Sequence, residues 1–167
     1  RRTPVNVAIV LDRSGSMDGE KIEQARKAAK MAIELLEPRD IASIVTYSDT
    51  VSVLVPATRL TEKEYIFDRI DALFANGSTA LFAGVSKGAD ELLKFFDANM
   101  VNRVILLSDG IANVGPDSPE ALGDLGASLR KMGVSVTTVG LGLGYNEDLM
   151  VRLAEKSDGN HAFVENA

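Results

Sequence analysis

The run Val5-Asn6-Val7-Ala8-Ile9-Val10-Leu11 constrains the fold more than any other feature of the chain. A nearly unbroken apolar stretch of this length is a strand covered on both faces, the signature of a mostly parallel sheet with helices on either side. The rest of the sequence alternates in the same sense. Ile22, Ala25, Ala29, Ile33 and Leu36 step by three or four and predict a first helix over about 19–36, stopped by Pro38. Residues 41–47 (IASIVTY) read as a second strand, and Ser48-Asp49-Thr50 turns into a third at 51–55. So short a connection fits an antiparallel hairpin alone, which places the third strand at a sheet edge.

Further along, Thr61-Glu62-Lys63-Glu64 reads as a capping box opening a helix to about Leu73. A loop over 74–79 precedes a helix over about 80–96, and 101–107 is a buried strand. Ser118 and Pro119 mark a helix start, with Gly133 at its end. A strand over 134–139, a helix capped by Asn146 and running to about Lys156, and a short strand at 161–164 complete the order. The expected fold is a doubly wound, Rossmann-like α/β three-layer sandwich. Its central six-stranded sheet has five parallel strands and one antiparallel edge strand.

The 167 residues fit a single domain over 1–167, with no internal repeat or linker. The start Arg1-Arg2-Thr3-Pro4, without Met, is expected of a piece of a longer protein. Cysteine is absent, which excludes disulfides and thiolate metal sites. A net charge of −6, with Lys and Arg scattered, argues against nucleic-acid binding. No apolar run reaches the roughly 18–20 residues of a membrane span, so direct membrane insertion is not expected.

Three loops carry the chemistry. Asp12, Ser14 and Ser16 leave the C-terminal end of the first strand, and Asp109 follows the strand 101–107. Asn76-Gly77-Ser78-Thr79 precedes a helix. With the first and fourth strands as central neighbours, strand order reverses between them, and such switch points open the ligand crevice of a doubly wound sheet. Carboxylates and hydroxyls are all oxygen donors, suited to a hard divalent cation such as Mg²⁺. Bland alternatives stay open at this point. Asp12 could cap the first helix or bind the backbone after it, and Ser14 and Ser16 could be turn residues. Thr79 could be a helix cap, and Ser78 could be the ligand or the cap instead.

With those residues in place, the chain resembles a von Willebrand factor type A domain carrying a metal-ion-dependent adhesion site. Asp12, Ser14 and Ser16 match the family's Asp-x-Ser-x-Ser loop, Thr79 its second-loop Thr and Asp109 its third-loop Asp. The wording around Gly140-Leu141-Gly142 and Tyr145-Asn146-Glu147-Asp148-Leu149-Met150 is most similar to bacterial members. The resemblance implies that Asp12, Ser14, Ser16, Thr79 and Asp109 hold a divalent cation; the Ser/Thr-rich donor set makes Mg²⁺ the expected ion, with Mn²⁺ and Ca²⁺ as alternatives. It also implies a non-enzymatic adhesion or interaction module, whose protein partner supplies a carboxylate to the metal. An exported or cell-envelope setting fits the bacterial resemblance and the lack of Cys. The family ordinarily adds a helix after the last strand, where this chain has only Glu165-Asn166-Ala167, and an apolar surface is expected to be exposed without it.

Enzyme readings fare worse. A Mg²⁺-dependent hydrolase or phosphotransferase with Asp12 as nucleophile would follow the haloacid-dehalogenase pattern, which wants a second acid where Ser14 stands. Gly140-Leu141-Gly142-Leu143-Gly144 breaks the dinucleotide spacing at Tyr145 and follows the wrong strand. His161 is the sole histidine, far in topology from the three loops, so neither a Ser-His-Asp triad nor a zinc site is expected. Asp49 and Asp117 read as turn residues, and Asn113 as part of the third loop's rim.

Overall fold

The computed structural model describes residues 2–142 and 145–164. Six strands form one sheet: β1 (Val5–Asp12), β2 (Ile41–Tyr47), β3 (Val51–Arg59), β4 (Val101–Ser108), β5 (Ser135–Leu141) and β6 (His161–Val164). Their spatial order is β3-β2-β1-β4-β5-β6. Every pairing is parallel except β2 with β3. The helices are α1 (Glu20–Glu34), α2 (Glu64–Asp71), α3 (Leu81–Leu93), α4 (Pro119–Lys131) and α5 (Glu147–Lys156).

Strand β1 is the hinge of the architecture because its side chains alternate between two cores. Val7, Ile9 and Leu11 pack with Ile22, Ala25 and Ile33 of α1 and Ile66 and Ile70 of α2. Ala8 and Val10 face the other way, against Leu81 and Val85 of α3, Leu122 of α4 and Leu149 of α5. On the α1 face, the sheet beyond Ile9 borders an open apolar groove of about 540 Å³ between α1 and β4–β5, lined by Ala28, Leu35, Ile105 and Val139.

Helix α3 lies very close to the sheet. A Cβ at Gly88 would sit 2.4 Å from Val10, and one at Gly84 would sit 2.4 Å from the Tyr47 ring. Two glycines four residues apart thus set the height of α3 above β1 and β2, and with it the position of Thr79 just before the helix.

Some local expectations need correction. Thr61 does not open α2: the helix starts at Glu64 behind Lys63, without a side-chain cap. Residues 60–61 are still turning out of β3, and Leu60 N–H donates to Asp40 O at 3.3 Å. Strand β3 continues past 55 to Arg59. Pro56 is tolerated there because an edge strand has one side free of ladder bonds, and the pairing with β2 shifts register around Ile44. A short 3₁₀ turn at Gly15–Met17, not anticipated, precedes α1. By contrast, Ser118 accepts Ala121 N–H at 3.1 Å and Asn146 accepts Leu149 N–H at 3.3 Å, both caps as expected.

Candidate metal centre

Strand β1 delivers Asp12 to the C-terminal edge of the sheet, where it is fully buried. Its Oδ1 accepts two bonds from Ser14, the backbone N–H at 2.9 Å and the hydroxyl at 2.6 Å. Its Oδ2 accepts the Ser108 hydroxyl at 2.7 Å. Ser16 Oγ lies 3.2 Å from Ser14 Oγ. Since the Ser14 proton points at Asp12, Ser16 is the donor in that pair, and Ser14 keeps a lone pair to offer elsewhere. Met17, fully buried, anchors the turn from below.

The second loop is strapped to the first by two backbone bonds, Asn76 N–H to Arg13 O and Gly15 N–H to Gly77 O, both 2.8 Å. Gly77 has φ +84°, and a Cβ there would lie 2.8 Å from Asp49 Oδ1. Asp49 braces this loop by accepting Ser78 N–H, so it is more than a turn residue. Thr79 is tied to the third loop. Its N–H donates to Asn113 Oδ1 at 2.8 Å, and its carbonyl accepts Asn113 and Val114 N–H at 3.1 Å each. Ala80 is the residue that precedes α3, which has no side-chain cap, so Thr79 does not cap it. Among the described residues the Thr79 hydroxyl makes no hydrogen bond, although the residue is buried.

The third loop begins at Asp109, also fully buried. Its Oδ1 accepts Ile111 N–H at 3.1 Å, and Lys21 Nζ lies 3.2 Å from its Oδ2. Ser108, while donating to Asp12, accepts Gly110 N–H at 2.8 Å, so one hydroxyl locks the first loop to the third. The structure therefore brings the three loops carrying Asp12, Ser14, Ser16, Thr79 and Asp109 together. The alternative in which Asp12 caps α1 is removed, because Gly19 holds that position.

The electrostatics are those of a site short of positive charge. Burial pushes the Asp12 carboxyl up to about 6; bonds from Ser14 and Ser108 oppose this, and the charge of Asp109 adds to it. The Tyr47 hydroxyl is raised well above its ordinary value by burial and by Asp12. It is buried near Asp12 and Ser108 without a well-formed hydrogen bond. An underneutralised buried carboxylate beside a second one, with hydroxyl oxygens to spare, fits a small divalent cation. Among the described residues no cluster of three or more His, Cys, Asp or Glu stands ready for a metal, so any ion here relies on hydroxyl oxygens.

Around these oxygens the exposed residues of the second and third loops include large apolar side chains. Phe74, Ile111 and Val114 are exposed on the second and third loops. The Arg13 guanidinium lies 5.7 Å from the Phe74 ring centroid.

The other candidates have structural explanations. His161 Nδ1 is 2.7 Å from Thr138 Oγ1 and its Nε2 is 3.0 Å from Tyr145 OH, a satisfied histidine at the sheet edge. Gly140 lies beneath the Tyr145 ring and Gly142 beneath Lys21, while Leu143 and Gly144 lie outside the described residues. Sequence reasoning did not find Ser108, Tyr47 or Lys21. Ser108 and Tyr47 sit at strand ends, a usable signal, whereas Lys21 looks like any helix-surface lysine.

An open, doubly wound sheet with three loops converging at its switch point defines the architectural class. The chain belongs to the von Willebrand factor type A domain family, whose model matches residues 6–167. It is 33% identical over 162 residues to the uncharacterized protein YfbK of Escherichia coli (strain K12), covering 96% of this chain and 28% of that protein. It is 31% identical over 166 residues to the uncharacterized protein sll0103 of Synechocystis, covering 99% and 39%. The chain thus spans well under half the length of these relatives.

Among solved structures, a von Willebrand factor type A protein from Catenulispora acidiphila superposes with TM-score 0.83 at 21% identity, over 97% of this chain and 39% of that one. An aerotolerance-related membrane protein from Bacteroides fragilis gives 0.80 at 18%, over 97% and 92%. Proximal thread matrix protein 1 from the mussel byssus, with a zinc-occupied MIDAS motif, gives 0.76 at 21%, over 96% and 41%. Among the described residues no helix is long and apolar enough to cross a membrane.

Proposed function

We propose that this domain is a metal-dependent protein-binding module. Ser14, Ser16 and Thr79 offer hydroxyl oxygens to a divalent cation, and Asp12 and Asp109 supply the compensating charge, directly or through water. The observation that carries this reading is the pair of fully buried carboxylates at one sheet edge, of which Asp12 is held by hydroxyls and one backbone N–H alone. The zinc-occupied motif of the mussel protein supports a metal in this place on the same fold. A hydroxyl-rich set favours Mg²⁺ over Ca²⁺, which recruits more carboxylate and carbonyl oxygens.

A cation held by these residues would supply Lewis acidity toward a carboxylate. The chain's own residues do the rest. Asp12 accepts the Ser14 hydroxyl hydrogen bond, which turns a hydroxyl lone pair outward. Asn113 and Asp49 hold the second loop at the correct height. Arg13, Phe74, Ile111 and Val114 offer a rim where an acidic residue flanked by apolar side chains would dock. A nucleophilic Asp12 is disfavoured because the residue is fully buried with both oxygens engaged. The Bacteroides fragilis neighbour is a membrane protein by name, which supports an envelope or exported setting for this module.

The test is affinity capture with the immobilised domain in Mg²⁺, in EDTA, and with a folded Asp12→Ala variant. The reading predicts partners retained only by the wild type in Mg²⁺. Capture indifferent to both EDTA and the substitution would overturn it.

A further inference from the structure

Lys21 stands in the first turn of α1, where the helix dipole disfavours a cation. Its placement therefore calls for a reason beyond helix stability. The ammonium reaches Asp109 Oδ2 at 3.2 Å, the lysine side chain being 26% exposed and the carboxylate fully buried. A gap in the neighbouring chain makes the path. A Cβ on Gly142 would lie 2.4 Å from Lys21 Cε and 3.2 Å from Cδ, and Gly142 itself has φ +82°. Two features, a helix-start lysine and a glycine after β5, combine to send a positive charge under the third loop.

Other basic groups near by are committed elsewhere. Arg26 donates to Leu73 O, Lys30 pairs with Asp71, and Arg13 lies over Phe74. Among the described residues Lys21 is the one cation paired with either carboxylate of the site. The result is asymmetric: Asp109 has a counter-charge and Asp12 has none.

We infer that Lys21 is a built-in counter-charge that loosens the site's hold on a divalent cation and keeps the loaded site attractive to an acidic partner. This rests on the metal-binding reading above. Two carboxylates and a divalent ion sum to zero; the ammonium makes the loaded site +1. The same charge repels the ion, so metal affinity is given up for attraction toward a partner carboxylate. Lys21 is a positioning residue, acting through Asp109.

The experiment is calorimetric titration of the domain with MnCl₂ and MgCl₂, comparing wild type, Lys21→Met, Lys21→Gln, Lys21→Arg and Lys27→Met. Circular dichroism verifies folding, and having two neutral variants covers a failure of either to fold. Lys27, exposed on the same helix, controls for loss of any positive charge. Neutralising Lys21 is expected to tighten Mn²⁺ binding about tenfold, the scale of one unit charge acting on a divalent ion through partly wet protein. Lys21→Arg and Lys27→Met are expected to stay near wild type. A merely structural Lys21 would give weaker binding when removed, so unchanged or weaker binding in the neutral variants overturns the inference while leaving the metal site intact. Binding by none of the five proteins overturns the metal reading and the inference together.

Discussion

Asp40 and Asp12 are both fully buried, at opposite edges of the same sheet, and are neutralised in opposite ways. Asp40, just before β2, accepts the Arg2 guanidinium on both oxygens, together with Val5 N–H at 2.9 Å and Glu37 N–H at 2.7 Å. Burial would raise its carboxyl, but these bonds and the Arg2 charge outweigh it and hold the group at about 2. Asp12, at the end of β1, has hydroxyls and one amide instead of a cation, and burial lifts it to about 6. The lower edge is thus a finished structural clamp that ties the N-terminal segment to β2. The upper edge has the same burial without the matching positive charge, the condition a binding site for a cation should meet.

The comparison breaks most readily under truncation. Asp40→Ala leaves two backbone N–H groups and a guanidinium without their partner and is expected to cost about 3 kcal/mol. Urea unfolding measures this, and a loss under about 0.5 kcal/mol would show that the lower clamp is not structural. Asn113→Ala removes the side-chain tie between the second and third loops and should cost about 1–2 kcal/mol, with a matching loss of amide-exchange protection at Thr79 N–H. Protection unchanged at that amide would mean the loops are held some other way.

Asp12→Asn should behave unlike Asp40→Ala. In EDTA it is expected to lie within about 1 kcal/mol of wild type, or above it, because it removes a charge beside Asp109. A large loss would mean that Asp12 is a clamp like Asp40. The smallest signal is in pH. The folded-state carboxyl of Asp12 lies above its unfolded value near 3.8, so its protonation stabilises the metal-free fold at low pH, and that contribution is lost as pH rises through about 6. Asp40, shifted the other way, contributes stability above its unfolded value that disappears as pH falls toward about 2. Stability-versus-pH curves in EDTA for wild type and Asp12→Asn should therefore diverge between about pH 4 and 6, with the wild type alone losing this contribution as pH rises. Parallel curves would remove the electrostatic contrast between the two edges.

Much of this was readable from the chain because the signals are local. The bounds of β2 and β6 follow from apolar runs between turn residues, and the Ser118 and Asn146 caps from one side chain reaching one nearby amide. The capping box at Thr61 misled because β3, whose extension past Pro56 depends on being an edge strand, still occupies the chain to Arg59. At the candidate site, the convergence of the loops carrying Asp12, Ser14, Ser16, Thr79 and Asp109 was legible from strand ends and the family resemblance, while their role as metal ligands is a proposal. Their supports were not. Ser108 is 96 residues from Asp12, Lys21 is 88 from Asp109, and Asn113 is 34 from Thr79. Such pairings exist only once the sheet order is set, and no periodicity encodes them.

With Lys21 paired to Asp109, it is Asp12 that is left without a counter-charge at the upper edge, and a divalent cation would supply it. Thermal unfolding of wild type and Asp12→Asn, first in EDTA and then with Mg²⁺ or Mn²⁺, tests it most directly. At 100 times the dissociation constant the wild type should gain about 2.7 kcal/mol, a rise of about 5–10 °C for a domain of this size, and the variant should gain nothing. No rise with either ion, or an equal rise in both proteins, would show that Asp12 does not take part in a cation site.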